Sequence, residues 1–159
     1  MKVNIKRIDK NLELPIYQTN GSIGFDLLAR ETTKVKSFEV TLIPLNIVIK
    51  IPKGYGLFLY SRSSTPGKKG LLVANGVGVI DQDYHGNEDE LKLAVLNFTK
   101  QTVTVEKGER ICQAVLAKVA TSVTLIPRRD AFRASEIMQQ RVKDHPKITL
   151  LLNSEITQI

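Results

Sequence analysis

Short apolar runs rich in β-branched residues recur through the first 126 positions. Val40-Thr41-Leu42-Ile43 and Asn46-Ile47-Val48-Ile49-Lys50-Ile51 partly alternate, and Tyr55-Gly56-Leu57-Phe58-Leu59-Tyr60 is aromatic-rich. Leu91 to Phe98, Thr102 to Val105 and Ile111 to Val119 follow. Runs of this length and period predict half-buried strands. Turn formers separate them: Pro44, Pro52-Lys53-Gly54, Pro66-Gly67, Asn75-Gly76, His85-Gly86-Asn87 and Glu106-Lys107-Gly108. Punctuation about every ten residues predicts an all-β sandwich, barrel or jelly roll. Asn75-Gly76, between apolar runs, is the strongest hairpin signal.

The pattern changes near the end. Arg128 to Lys143 is polar and basic, with Ala131, Ser135, Ile137, Met138 and Val142 loosely periodic, which predicts a short helix. Ile148 to Leu152 reads as a last strand. No repeat and no rich linker splits the chain. The expected organisation is a β domain over 1–126 and a basic extension over 127–159.

Composition narrows the chemistry. The 159 residues are 42% hydrophobic and 25% charged, the profile of a globular protein. No run approaches the roughly 18 apolar residues of a membrane span, and the first residues lack the apolar core of a signal peptide. One cysteine excludes an internal disulfide and a Cys-based zinc site, and two histidines exclude a three-His centre. The expected setting is the reducing cytoplasm. Net charge is +7, but the cations are scattered and the aromatic content is 6% with no Trp. Stacking platforms for nucleic acid are therefore scarce, and a small polyanionic ligand explains the charge better.

Four segments carry candidate chemistry. Ser61-Arg62-Ser63-Ser64-Thr65-Pro66-Gly67-Lys68-Lys69-Gly70 packs hydroxyls and cations after an apolar strand, a donor set suited to phosphate. Its spacing is not that of a P-loop, and the alternative is a solvated hairpin loop. In Gly78-Val79-Ile80-Asp81-Gln82-Asp83-Tyr84-His85-Gly86, two carboxylates share a face if the backbone is extended. The apolar lead-in from Val77 would bury Asp81 and raise its pKa towards that of a general base, while a nearby cation would lower it. Tyr84 offers a flat face to a sugar or base, and His85 reads as a turn residue. Gly21-Ser22-Ile23-Gly24-Phe25-Asp26-Leu27 places one carboxylate in an apolar context, either for function or as a cap. Lys107-Gly108-Glu109-Arg110-Ile111-Cys112-Gln113 reads alone as a hairpin turn with a surface ion pair, with Cys112 a small core residue.

In this order and spacing the four segments resemble the motifs of trimeric dUTPases, in the dUTPase/dCTP deaminase superfamily. Leu14 to Ala29 is similar to the family's first motif, Ser61-Arg62-Ser63-Ser64 with Lys69-Gly70 to the second, Asn75 to Tyr84 to the third, and Gly108 to Gln113 to the fourth. The resemblance covers roughly 12–118. It implies a distorted jelly-roll β-barrel with a short C-terminal helix/strand extension, a homotrimer with shared active sites, and Mg2+-dependent hydrolysis of dUTP to dUMP and pyrophosphate. Asp81 would activate the attacking water and Tyr84 would stack under the deoxyribose. Asn75 and the Gly78 backbone would read the uracil edge. Arg62, Ser63, Ser64 and Gln113 would hold the phosphates, and Asp26 would contact waters on the Mg2+.

The chain also departs from that family. No glycine follows Gly108, so the family's glycine-rich fifth motif has no counterpart, and Phe132 to Met138 stands at its place. Arg128, Arg129 or Arg133 would be the substitute phosphate clamps, unless the tail is a solvated helix packed on a neighbour. Asn87-Glu88-Asp89 reads as a three-residue loop extension, and Cys112 stands where the family usually has Ala. A dCTP deaminase needs a glutamate three residues before the strand-ending Asn97, and that position is Ala94. A non-catalytic nucleotide-binding or regulatory trimer is the other alternative.

Overall fold

The computed structural model describes residues 2–120, 122–125 and 135–151. The chain divides into two compact units, Met1–Lys118 and Val119–Ile159. The first unit runs β1 (Asn4–Arg7), β2 (Phe25–Leu28), β3 (Thr33–Val35), β4 (Val40–Pro44), β5 (Ile47–Lys50), β6 (Tyr55–Ser61), α1 (Thr65–Lys69), β7 (Leu71–Val73), β8 (Gly78–Ile80), β9 (Lys92–Asn97), β10 (Val103–Val105) and β11 (Arg110–Lys118). All its pairings are antiparallel. They form a four-stranded sheet β2-β11-β6-β8, a three-stranded sheet β4-β9-β7, and the pairs β1-β5 and β3-β10. This is the expected all-β, jelly-roll-like architecture.

Alternation dictates which face is buried. Leu57 and Leu59 of β6 point inward while Tyr60 stays exposed, and Leu93 and Val95 of β9 point inward. With Leu27, Ile43, Leu45, Ile47, Ile49, Leu71, Leu91 and Ile111 they build one aliphatic core. Each such side chain contributes about 1.5–3 kcal/mol by leaving water. The runs expected as strands at 40–43, 46–51, 55–60, 91–98, 102–105 and 111–119 are β4, β5, β6, β9, β10 and β11.

Two local expectations are corrected. Asn75-Gly76 does form a turn, with the Gly76 amide donating to the Val73 carbonyl at 3.0 Å. The flanking strands do not pair with each other, however: β7 joins β9 and β8 joins β6, so the turn carries the chain between two sheets. The segment after Ser61 is not an open hairpin loop but the one-turn helix α1. Pro66 stands at its start, and Thr65 is buried with its hydroxyl donating to the Ile111 carbonyl at 3.3 Å.

Gly70 ends α1 in the left-handed region at φ +63°, and its amide donates to the Pro66 carbonyl. A Cβ there would collide with Thr99 Cγ2. Thr99 cannot easily turn away, because its hydroxyl donates towards the Asn97 side-chain oxygen (2.8 Å) and the Gln101 carbonyl (2.9 Å). Gly70→Ala is therefore expected to destabilise the protein by about 2–3 kcal/mol, read from the urea midpoint. A shift under about 0.5 kcal/mol, the size of an ordinary surface change, would refute that account.

In the second unit, β12 (Val123–Leu125) pairs in parallel with β13 (Ile148–Leu150), and α2 (Glu136–Lys143) lies between them in sequence. The expected helix is described only from its cap at Ser135, and the last strand ends at Leu150, with Leu152 outside the described residues. Arg128, Arg129 and Arg133 lie outside the described residues.

Candidate active site

The candidate residues fall into two groups on the four-stranded sheet. The first is built where β2, β11 and β6 lie side by side. Asp26 of β2 stands opposite Gln113 of β11, and Gln113 stands opposite Tyr60 of β6. Arg62 follows directly after β6 and turns back, its Nε donating to Asp26 Oδ1 at 2.9 Å. A register irregularity between Arg110 and Cys112 re-aims the start of β11. From there Arg110 approaches the other oxygen, Oδ2, at 3.5 Å. Arg62 also donates to the Arg110 carbonyl (3.4 Å), and Gln113 Nε2 donates to the Ser61 carbonyl (3.0 Å). The Asp26 side chain is 12% exposed, so its two cations act with little competition from water.

Beside this cluster lies a cavity of about 260 Å³ lined by Arg62, Ser64, Thr65, Lys68, Lys69, Glu109 and Arg110. Lys69 is largely committed: its ammonium meets Glu109 Oε2 and the Thr104 carbonyl, both at 2.8 Å. The surface ion pair expected in the fourth segment is made by Lys107, which meets Asp9 Oδ2 at 2.6 Å, and the other charges of the segment also find distant partners. Glu109 pairs with the second segment and Arg110 with the first. Ser63 is exposed, and the Ser64 hydroxyl makes no capping bond to α1. The cavity keeps a cationic surplus with free hydroxyls beside it, the chemistry that recognises phosphate oxygens. The sequence places Lys69 and Arg110 in motifs but gives neither a role of its own, because their partners lie 40 and 84 positions away.

The second group surrounds β8. Gly78 is buried against β6, where a Cβ would stand 3.0 Å from Leu59 Cβ, so the close approach of the two strands requires glycine. Asn75 is exposed in the turn before it. Beyond β8 the chain turns at once: the Tyr84 amide donates to the Asp81 carbonyl at 3.2 Å. Asp81 is consequently exposed, so the apolar lead-in does not bury it. Asp83 lies inside the turn, so the two carboxylates do not share a face by strand alternation. Tyr84 keeps 39% of its surface exposed, and its hydroxyl donates to the Glu90 carbonyl at 3.2 Å.

One chain does not unite the two groups. In the β6–β8 register Leu57 faces Ile80 and Leu59 faces Gly78, which places Asp81 beside the Tyr55 end of β6. Gln82 confirms this, its side-chain amide donating to the Tyr55 carbonyl at 2.8 Å. Arg62 follows the other end of the same strand. The strand rise separates them by about 20 Å.

Cys112 is fully buried, and desolvation, reinforced by the Asp26 charge, pushes its thiol far above the ordinary value. It is a core residue, as expected, and no nucleophile. Among the described residues no group of three or more His, Cys, Asp or Glu side chains could cage a metal. Asp26, a single carboxylate beside a phosphate-type cavity, fits Mg2+ that is held mainly by phosphates and keeps its own waters.

Residues 10–143 match the dUTPase family model. The chain belongs to the dUTPase family. Curated members of the family similar to it include the deoxyuridine 5'-triphosphate nucleotidohydrolase of Lactococcus lactis, 39% identical over 117 residues, covering 72% of this chain and 78% of that protein. The enzyme of the same name from Aquifex aeolicus is 42% identical over 121 residues, covering 74% and 79%. The dUTPase crystal structure from Streptococcus mutans superposes with a TM-score of 0.68 at 37% identity, covering 73% of this chain and 95% of that one. A Staphylococcus bacteriophage 80alpha dUTPase shares the fold at a TM-score of 0.69 and 24% identity, covering 84% and 99%. No helix among the described residues of this family member is long and apolar enough to cross a membrane.

Proposed function

We propose that the protein is a dUTP diphosphatase, hydrolysing dUTP to dUMP and pyrophosphate with Mg2+. The observation that carries this is the Asp26–Arg62–Arg110 cluster beside Gln113 and a cationic cavity, in a chain of the dUTPase family. Arg62, Ser63, Ser64 and Gln113 hold the phosphate chain, with Arg110 completing the charge. Asp26 would contact the waters of the ion. Mg2+, when bound, neutralises charge on the phosphates. Asp81 takes a proton from the water that attacks the α-phosphorus, and pyrophosphate leaves towards the cationic group. Tyr84 lies under the deoxyribose, and Asn75 with the Gly78 main chain reads the uracil edge. Positioning and charge stabilisation are most of what such a displacement needs.

The distance along β6 supports a shared site. A single dUTP cannot reach Asp81 and Arg62 of one chain, so the two groups meet across a subunit boundary, and the assembly proposed for it is the homotrimer that the family resemblance implies. In this reading 1–126 is the catalytic domain, 127–159 is an added basic extension, and the reaction is cytoplasmic. The test is pyrophosphate release from dUTP, dCTP, dTTP and UTP with Mg2+. A kcat/KM for dUTP about 10²-fold or more above the others is expected, since the pocket must reject added groups as well as bind. Equal rates, or ammonia release from dCTP, would overturn the assignment.

A further inference from the structure

The loop that carries Asp81 and Tyr84 is exposed throughout 81–88, yet it ends on one of the most heavily anchored points of the barrel. Glu90 is buried, 8% exposed. Its Oε1 accepts from Arg30 Nε at 2.7 Å and from the Asn46 main-chain amide at 2.9 Å. Asn46 is itself buried in the turn between β4 and β5, at φ +67°, with its side chain bonded to both the amide (2.6 Å) and the carbonyl (3.0 Å) of Asp9. The next residue, Leu91, is bonded on both sides, accepting from Leu45 and donating to Ile47, each at 2.9 Å. The Glu90 carbonyl is therefore a firmly anchored acceptor at the end of an exposed loop. It is the acceptor that receives the Tyr84 hydroxyl.

That bond closes the neck of the loop. The intervening turn, 85–89, is folded on itself by the Gly86 amide donating to Asp89 Oδ2 at 2.6 Å, and it is held on β1 by Lys6 Nζ donating to the Asn87 carbonyl at 3.2 Å. Asn87-Glu88-Asp89 can thus lengthen the loop without passing slack to the Tyr84 ring. The ring is fixed at its root by the Tyr84 amide bond to Asp81, and at its tip by Glu90.

We infer that Glu90, clamped by Arg30 and Asn46, is a positioning residue for sugar selection, holding the Tyr84 ring at the height where a 2′-hydroxyl does not fit. The inference rests on the proposed role of Tyr84 as the deoxyribose platform. A ring held only at its root tilts away and admits the ribose; a ring tethered at both ends does not.

The experiment measures kcat/KM for dUTP and UTP in wild type, Tyr84→Phe, Glu90→Leu, Glu90→Gln, Arg30→Met and the Tyr84→Phe/Glu90→Leu double variant. Tyr84→Phe keeps the stacking face and removes only the tether. It and Glu90→Leu are each expected to lower the preference for dUTP about three- to tenfold, the worth of one hydrogen bond, with UTP gaining through KM. Glu90→Gln keeps an acceptor for both donors and should stay within about twofold of wild type. Arg30→Met loosens the same clamp from the exposed side and supplies the readout if Glu90→Leu does not fold. Because Glu90→Leu acts only by loosening the anchor of the tether that Tyr84→Phe removes, the double variant should be no less selective than Tyr84→Phe alone. A wild type that does not distinguish the two sugars removes the Tyr84 platform, and this inference with it. A selective wild type whose Tyr84→Phe form is equally selective overturns this inference alone. Losses that multiply in the double variant also overturn it, since Glu90 would then act elsewhere.

Discussion

Asp81→Asn is expected to lower kcat for dUTP hydrolysis by about 10²–10⁴-fold, the usual worth of a positioned general base. The substitution is nearly isosteric, and the side chain is exposed, so the fold should lose no more than about 0.5 kcal/mol. The turn that presents it depends on the Asp81 main-chain carbonyl, which asparagine retains. Affinity for a non-hydrolysable dUTP analogue should stay within about threefold, since the amide keeps an oxygen acceptor at the same place. Single-turnover kinetics and analogue titration read the two quantities separately. Retained turnover would remove Asp81 as the base.

The second large effect is a recovery. Asp81→Asn and Arg62→Ala proteins should each be nearly inactive, yet a mixture unfolded and refolded together should regain about one quarter of wild-type activity. The reasoning is geometric. Arg62 and Asp81 flank opposite ends of β6, so in the proposed shared site Asp81 comes from one chain and Arg62 from the next. At equal, random mixing, half of the chains have an intact Asp81 and half of their neighbours an intact Arg62. Sites with both groups intact then make up about a quarter of the total. Arg62 is chosen because its charge is committed to the shared cluster through Asp26. No recovery above the sum of the separate proteins would mean that one chain carries a whole site, and the shared-site reading would fail.

Much of the barrel was legible because its strands announce themselves locally. Alternation in 55–60 and 91–98, with proline or glycine beyond each end, is enough to assign β6 and β9 and their inward residues. Pairing is not local, and there the reading failed. Asn75-Gly76 has the chemistry of a hairpin turn, but β9 and β6 compete successfully for its flanking strands. The short helix α1 escaped notice because Pro66 and Gly67 read as breakers. The buried Thr65 and the left-handed Gly70 close the turn all the same. At the site, the motif residues were visible one by one, whereas their electrostatic company was not. Arg110 meets Asp26 only through a bulge in β11, and Asp81 swings into solvent one residue after a half-buried Ile80.

The span between Asp26 and Arg110, 84 residues, also bears on how the protein comes into being. The central sheet holds β2, among the first strands made, against β11, the last strand of the first unit. During synthesis β2 has no partner on that side until β11 emerges from the ribosome. Closing so long a loop precedes any reward from the contacts it permits, which places refolding in the millisecond-to-second range of β-rich domains. The Asp26–Arg62–Arg110 cluster is therefore among the last features to form. A nascent chain stalled before Arg110 would present Asp26 and Arg62 without the strand that brings them into register.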